Sequence, residues 1–402
     1  MPDTDQHARR ATVRLKPKAD ARALRRGMPW VYATDIVTDR RTRALPPGSI
    51  VRLEDTERRA LGTCALHPGS KIMARVLDLD PDAVIDQAWF EMRLRRALAL
   101  REKIYDTPFY RLVHAEADGL PGLVIDRFGA VCVVQPNAAW LEPRLHDLAA
   151  AVQRVTGVTT VLKNASGRAR ALEGLDDTAA VLLGVAPDGP VPVPMTGATY
   201  QADLVGGQKT GLYYDQRPNH AFAAGLARGA RVLDVFSHVG GFSLACLAAG
   251  AASALAVDGS AAALRLAEAG AQATGVSARF ATHRGEAFET LVDLRGEAAL
   301  FDLVICDPPA FAPSKQALEA GLRAYERVAK LAAPLVAEGG VLGLCSCSHA
   351  ASLEKFRNAC ARGLGRAGRQ GRIIHTGFAG PDHPHLPGLT ESGYLKALFF
   401  AL

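Results

Sequence analysis

The sequence predicts an α/β protein in three parts: a small N-terminal β-barrel, a mixed α/β middle domain, and a C-terminal Rossmann-like parallel sheet with helices on both faces. Three observations carry that prediction. From about residue 230, short apolar runs alternate strictly with helical stretches, which is the mark of βαβ crossovers. Ahead of residue 82 the apolar runs are short, strand-like and separated by turn residues. Between the halves lies APDGPVPVPMTG (186–197), a Pro/Gly-rich stretch that reads as a linker. At 402 residues the chain is too long for one typical domain, and two or three are expected.

Composition narrows the class. Hydrophobic residues make up 49% and charged residues 22%, enough to bury a sizeable core and to exclude wholesale disorder. The seven cysteines (Cys64, Cys132, Cys246, Cys306, Cys345, Cys347 and Cys360) are odd in number and scattered, mostly in apolar runs. That is the usage of a reducing compartment rather than a disulfide framework. The start, MPDTDQHARR, is polar, and no apolar stretch reaches the roughly 18 residues of a membrane helix. The expectation is a soluble cytoplasmic protein with no membrane partner. A net charge of +6 tilts mildly toward a polyanionic partner, so the placement of the charge matters more than its sum.

The first expected domain spans 12–82. Its opening, VRLKPKADARALRRGMPWVY, sets Arg14, Lys16, Lys18, Arg22, Arg25 and Arg26 against one acid, Asp20, and closes on Pro29 and Trp30. Strands follow at 49–53, 59–65 and 72–77. A basic cluster beside an exposed aromatic suits phosphates and a stacked base; a solvated basic face with Trp30 half in the core is the plainer reading. The middle domain is expected over 86–190. Phe90, Leu94, Ala97 and Leu98 make one apolar stripe on a helix over 87–104, with arginines on much of the rest. Two β-rich runs joined by Asp118-Gly119-Leu120-Pro121-Gly122, a helix (144–156) and a strand (158–162) complete it.

The third domain, 193–402, carries the chemistry. Strands are predicted at 231–236, 253–258, 301–306 and 341–346, with a weaker one at RFATHRG and helices including 260–271 and 316–336. Ligands of open α/β sheets bind at the carboxyl ends of the strands. There the sequence sets Phe236-Ser237-His238-Val239-Gly240-Gly241-Phe242, then Asp258, Glu286, Asp307-Pro308-Pro309-Ala310-Phe311 and Cys347. Asp258, 24 positions beyond Asp234, has the spacing of a carboxylate that holds ribose hydroxyls. The turn lacks G-x-G-x-x-G, so a pyrophosphate is disfavoured and a nicotinamide dehydrogenase with it. S-adenosylmethionine fits: Asp258 on the ribose, the Gly240-Gly241 turn at the amino-acid end, Glu286 toward the adenine. Each carboxylate taken singly also reads as a helix cap or a surface charge.

In the DPPAF turn two prolines stop the strand and hold a rigid backbone. Asp307 and nearby carbonyls then face a planar nitrogenous ring, with Phe311 available to stack; a mere strand-ending turn is the alternative. Cys345 and Cys347 share one face of a strand, so both fit plain packing. With His349 they spell C-x-C-x-H, yet zinc wants a fourth ligand and wider spacing, and a redox pair reads C-x-x-C. A nucleophile remains. A thiolate attacking C6 of a pyrimidine makes C5 reactive toward a methyl sulfonium, a step that carbon-5 of cytosine otherwise lacks the nucleophilicity to make.

Taken together, EADGLPGLVIDRFG (116–129), GQKTGLYYDQR (207–217), FSHVGGFS (236–243), VDGS (257–260), DPPAF (307–311), SCS (346–348) and the closing DHP and YLK run nearly end to end. On these the chain resembles the RlmI-like family of S-adenosylmethionine-dependent 23S rRNA cytosine-C5 methyltransferases with an N-terminal PUA domain. The resemblance implies a PUA domain, a middle α/β domain and a class I methyltransferase domain. It implies Cys347 as nucleophile and Asp307 as the group that orients the base, Asp307 also bordering the cofactor. Lys209, Thr210, Asp215 and Arg217 belong to a segment expected along the cofactor pocket. Pro308, Pro309, Phe311, Arg14, Lys16, Arg25, Arg26 and Trp30 are the expected substrate contacts, large-subunit rRNA the partner, and no metal is implied. His238 stands where a tyrosine is common, and Ala310 and Glu326 replace basic residues of some members. The rivals are a methyltransferase of the guanine-N7 type, which needs no cysteine, and a non-catalytic RNA-binding ribosome-assembly factor. The oligomeric state stays open, a homodimer included.

Overall fold

The structure is a computed structural model that describes residues 10–207, 211–389 and 392–402. The chain divides into two compact units. One holds the chain up to Asp188 together with Leu204–Gly211 and Pro381–Ser392; the other holds Gly189–Asp203, Leu212–Gly380 and Gly393–Leu402.

In the first unit, β1 (Thr12–Arg14), helix α1 (Ala21–Arg25), β2 (Trp30–Tyr32), α2 (Arg40–Ala44), β3 (Ser49–Glu54), β4 (Ala60–Leu66) and β5 (Ile72–Asp78) open the chain. The strands form one sheet in the order β1-β3-β4-β5-β2. Buried Val51 and Leu53 alternate with half-exposed Arg52 and Glu54, the period of a strand with one face inward. The strands β1 and β2 lie inside the basic opening, where sequence reasoning had placed only charge. At Gly62 a Cβ would meet the Asp78 carbonyl at 2.3 Å, so only glycine lets β4 and β5 approach there.

The next stretch starts with α3 (Gln87–Glu102), capped by Asp86, whose carboxylate accepts the Trp89 N–H at 2.9 Å. A second sheet follows: β6 (Phe109–His114), β7 (Leu123–Phe128), β8 (Val131–Pro136), α4 (Leu145–Thr156), β9 (Thr160–Lys163), α5 (Arg168–Leu172) and β10 (Ala180–Leu183), ordered β10-β9-β8-β7-β6. Trp89, Phe90 and Trp140 pack ring on ring in the core, Phe90 and Trp140 stacked at 5.9 Å. Arg101 departs from the expected arginine face of α3: it is wholly buried.

The segment expected to be a linker holds the first boundary between the two units, between Asp188 and Gly189, and then runs into a hairpin of β11 (Val191–Met195) and β12 (Ala198–Ala202). Pro192 and Pro194 point outward while Val193 and Met195 are buried, an alternation that an edge strand tolerates because its prolines owe no ladder N–H. Thr196 (φ 53°) and Gly197 (φ 78°) make the left-handed two-residue turn that closes such a hairpin.

The second unit continues with α6 (Arg217–Gly225), β13 (Arg231–Val235), α7 (Gly241–Ala248), β14 (Ser253–Asp258), α8 (Ala261–Thr274), β15 (Phe280–Arg284), α9 (Ala287–Gly296), β16 (Phe301–Cys306), α10 (Leu318–Ala332), β17 (Val336–Ser346), α11 (Leu353–Arg366), β18 (Arg372–Gly377) and β19 (Lys396–Ala401). These strands form a seven-stranded sheet, β15-β14-β13-β16-β17-β19-β18, parallel except for β19, which runs antiparallel to both its neighbours. The predicted helix over 316–336 is cut short: a 3-10 turn with Pro334 takes residues 333–335, and β17 begins at Val336. Among the described residues no helix is long and apolar enough to cross a membrane.

Candidate active site

The strand order reverses between β14-β13 and β13-β16, and the turn after β13 lies at that switch point. This turn is contorted. Phe236 (φ 63°), His238 (φ 50°) and Gly240 (φ 78°) are left-handed, and for the two non-glycines this costs on the order of 1–2 kcal/mol each. Gly241 has no room for a side chain, because a Cβ would stand 2.8 Å from His220 Nε2. Asp258 ties this turn to the next: Oδ2 accepts the His238 N–H at 2.9 Å and Oδ1 the Ser260 N–H at 2.8 Å. The carboxylate keeps acceptor capacity beyond these two bonds.

Beneath the turn, Asp234 is fully buried. Its Oδ2 accepts from the Ser243 N–H at 2.9 Å and hydroxyl at 2.7 Å, while burial pushes its pKa up to about 6. Asp234 Oδ1, Ser237 Oγ and Gln216 Nε2 are buried without a hydrogen-bond partner among the described residues. Unmatched buried polar atoms are uncommon, and several on one rim point to a polar ligand.

The Asp307-Pro308-Pro309 segment leaves β16 beside β13, its Asp307 N–H donating to the Val235 carbonyl at 3.1 Å. Phe311 is half-buried in an aromatic cluster, 5.0 Å from Tyr325, 6.1 Å from Phe288 and 6.3 Å from Phe236 between ring centroids. One strand further, the two cysteines part company. Cys345 is 1% exposed and burial raises its thiol well above the ordinary range, whereas Cys347, just past the end of β17, is half-buried. Its Sγ lies 4.0 Å from the Pro308 carbonyl oxygen.

Tyr213 shows how far these scattered residues converge. Burial, then the negative charges of Asp215, Cys347, Asp307 and Asp258, push its phenol up to about 12, and its ring lies 5.0 Å from that of His238. Asp215 in turn accepts the Tyr394 hydroxyl at 2.6 Å, and the Arg217 guanidinium lies 5.2 Å from the Tyr214 ring centroid. Phe242 is buried in the first turn of α7, edge-on to His220 at 4.5 Å.

Other expected residues are placed differently. Glu286 is exposed and caps α9, accepting the Glu289 N–H at 3.0 Å, which is the plainer of the two readings of that carboxylate. Lys209 and Thr210 lie outside the described residues. In the first unit Arg14 pairs with Glu54 at 3.5 Å, Arg25 with Asp55 at 3.6 Å and Arg26 with Asp20 at 3.3 Å, while Lys16 Nζ donates to the Thr34 carbonyl at 2.9 Å. Trp30, expected to be exposed, is half-buried and its indole N–H donates to Glu116 at 2.9 Å. Lys18 and Arg22 are exposed. Glu326 is buried against Arg362 and Arg366 of α11, so its departure from a basic residue is met inside the fold.

Sequence reasoning passed over Tyr213, Gln216, Asp234 and Ser237 as ligand-facing groups. The first two stand inside GQKTGLYYDQR, and only their convergence with β13 singles them out. The donor set suits S-adenosylmethionine: acceptors at Asp258 for a ribose, and unmatched Asp234 Oδ1, Ser237 Oγ and Gln216 Nε2 for a zwitterionic amino-acid end.

Comparison with known proteins agrees. A family described as PUA-like domain matches residues 13–79, and one described as S-adenosylmethionine-dependent methyltransferase matches residues 111–400. The chain is 35% identical to a ribosomal RNA large subunit methyltransferase of Deinococcus radiodurans, over 98% of each chain. It is 34% identical to ribosomal RNA large subunit methyltransferase I of Erwinia tasmaniensis, and 35% to that of Alteromonas mediterranea, in both cases over 96% of this chain and 98% of the relative. A solved protein described as a SAM-dependent methyltransferase from Streptococcus mutans shares the fold at TM-score 0.82 and 19% identity, covering 98% of this chain and 100% of that one. A methyltransferase solved in complex with SAH matches equally well. The chain is an enzyme of the S-adenosylmethionine-dependent methyltransferase family, carries a PUA-like domain, and groups with the ribosomal RNA large subunit methyltransferases I.

Proposed function

We propose that this enzyme methylates carbon-5 of a cytosine in 23S ribosomal RNA, in the cytoplasm, with Cys347 as covalent nucleophile. One observation carries the reading. Of two cysteines a residue apart, Cys345 is sealed in the sheet while Cys347 stands past the strand end, beside the Asp307-Pro308 turn. A methyl acceptor that is already nucleophilic, such as guanine N7, gives a cysteine nothing to do there. The names of the relatives support large-subunit rRNA as the substrate.

In this reading the Cys347 thiolate adds to C6, and the displaced electron pair makes C5 the nucleophile. S-adenosylmethionine supplies an electrophilic methyl, leaving as the neutral thioether. A base, Asp307 or a water, then takes the C5 proton, the C–H electron pair re-forms the C5–C6 double bond, and the C6–S bond breaks to expel the Cys347 thiolate. Asp307 and the rigid Pro308-Pro309 backbone orient the base, and Phe311 borders it. Asp258 holds the cofactor ribose and the Phe236–Phe242 turn its amino-acid end, with Asp215 and Arg217 along the same pocket. Residues 12–82 and 86–190 act as RNA-binding and substrate-recognition domains of the methyltransferase domain 193–402, with Arg14, Lys16, Arg25, Arg26 and Trp30 toward the RNA.

The test is transfer of labelled methyl from S-adenosylmethionine to large-subunit rRNA lacking the modification, with the product nucleoside identified by mass spectrometry. The expected product is 5-methylcytosine, with Cys347→Ala reducing the rate by ~10³-fold or more. A methylguanine, or full activity in Cys347→Ala, gives the function to the rival methyltransferase; no methyl transfer at all favours the assembly factor.

A further inference from the structure

Cys347 lies between two serines that are wholly buried. Ser346 Oγ donates to the Tyr325 hydroxyl at 2.9 Å, that hydroxyl lies 2.7 Å from Ser348 Oγ, and Ser348 Oγ accepts the Ala312 N–H at 2.9 Å. Helix α10 and the Asp307–Ala312 segment thus grip the turn from one side. From β19 comes Lys396, only 5% exposed, whose Nζ donates to the Ser348 carbonyl at 2.8 Å and the Ala351 carbonyl at 2.7 Å.

A buried ammonium is an expensive way to tie two carbonyls, since an amide N–H satisfies them without burying charge. Burial lowers the Lys396 pKa to about 8, and the Cys347 charge works the other way, favouring the ammonium. The same attraction favours the thiolate. Among the described residues, the phenols of Tyr213 and Tyr325 both feel the Cys347 charge, Asp307 acts on the same Tyr213 phenol, and His349, two residues on, lies 5.3 Å from the Tyr394 ring.

We propose that Lys396 is a positioning residue for Cys347: its ammonium pins the turn over 347–351 through two carbonyls, and its positive charge favours the Cys347 thiolate over the thiol. The inference rests on Cys347 as the nucleophile, but its test does not need methyl transfer. The rate of Cys347 alkylation by iodoacetamide is followed against pH by peptide mass spectrometry in full-length wild type and Lys396→Gln, with Lys396→Met as a second variant. Removing the charge is expected to raise the midpoint by about one pH unit, which slows alkylation at pH 7 about tenfold. Unchanged S-adenosylmethionine affinity shows that the fold is kept. An unshifted midpoint in whichever variant retains that affinity overturns the inference and leaves the methylation chemistry to its own test. A shifted midpoint beside a fully active Cys347→Ala enzyme retains the electrostatic role and removes the catalytic one.

Discussion

Arg101 and Asp234 are equally buried and differently treated. In the first unit, Arg101 makes a two-armed pair with Asp118 at 2.6 and 2.7 Å, and donates to the carbonyls of Arg111 at 2.9 Å and Asp382 at 2.8 Å. The Asp382 carboxylate accepts the Arg111 N–H at 3.0 Å and stands 2.9 Å from His383 Nδ1. Each bond named in that cluster ends on another described residue of the same unit. In the second unit, Asp234 Oδ1, Ser237 Oγ and Gln216 Nε2 end without a partner among the described residues, below a turn with two left-handed non-glycine residues. A closed network secures the fold and needs nothing further, whereas an open one is completed by something that binds.

The comparison breaks most visibly at Arg101. Arg101→Met leaves Asp118 buried and unpaired, a loss of about 3–5 kcal/mol. Thermal unfolding should show a fall in Tm on the order of 10 °C, with cofactor affinity measured by calorimetry unchanged. A variant that keeps its Tm, or that loses cofactor affinity instead, removes the contrast.

Asp234→Asn should do the opposite. Its carboxyl pKa is raised from 3.8 to about 6 by burial, so the native state holds a proton that the unfolded chain gives up between those values. Stability therefore falls as pH rises from about 4 to about 6, and the full penalty, about 3 kcal/mol as an order of magnitude, persists above that window. The asparagine removes it. Urea unfolding should find the variant more stable than wild type by roughly 1–3 kcal/mol at pH 7 and nearly equal at pH 4, while S-adenosylmethionine affinity drops about tenfold or more.

The smallest effect sharpens the reading of the basic opening. Lys18 and Arg22 are exposed, and Arg14 and Arg25 stand beside acids. The Lys18→Ala, Arg22→Ala double variant should lower the slope of log affinity for rRNA against log salt by about 1.5. An unchanged slope assigns that face to solvent.

Much of this was legible because it is local. Strict alternation of apolar runs and helices predicts β13, β14, β16 and β17, and chain direction alone sends their carboxyl ends, with Asp258, Asp307 and Cys347, to one rim. Linear reading failed where a pattern has two physical outcomes. The prolines of 186–197 suit a linker or an edge strand; the unit boundary at Asp188/Gly189 bears out the first, and only pairing with β12 shows that Pro192 and Pro194 belong to the second. Trp30 next to arginines suits stacking or packing, and Glu116, 86 positions away, takes its N–H.

By itself, then, the sequence determined the fold class, the rim of the sheet and the residue types on it, since periodicity and strand direction act over a few neighbouring residues. The tertiary structure decided which of two cysteines is open, which buried charges are matched, and that Lys396 stands against the Cys347 turn. Those depend on β19 entering antiparallel between β17 and β18, a pairing about 50 residues distant in the chain with Cys345 opposite Ala397. Burial and hydrogen-bond satisfaction are properties of what surrounds a residue, and those surroundings exist only once distant segments have packed.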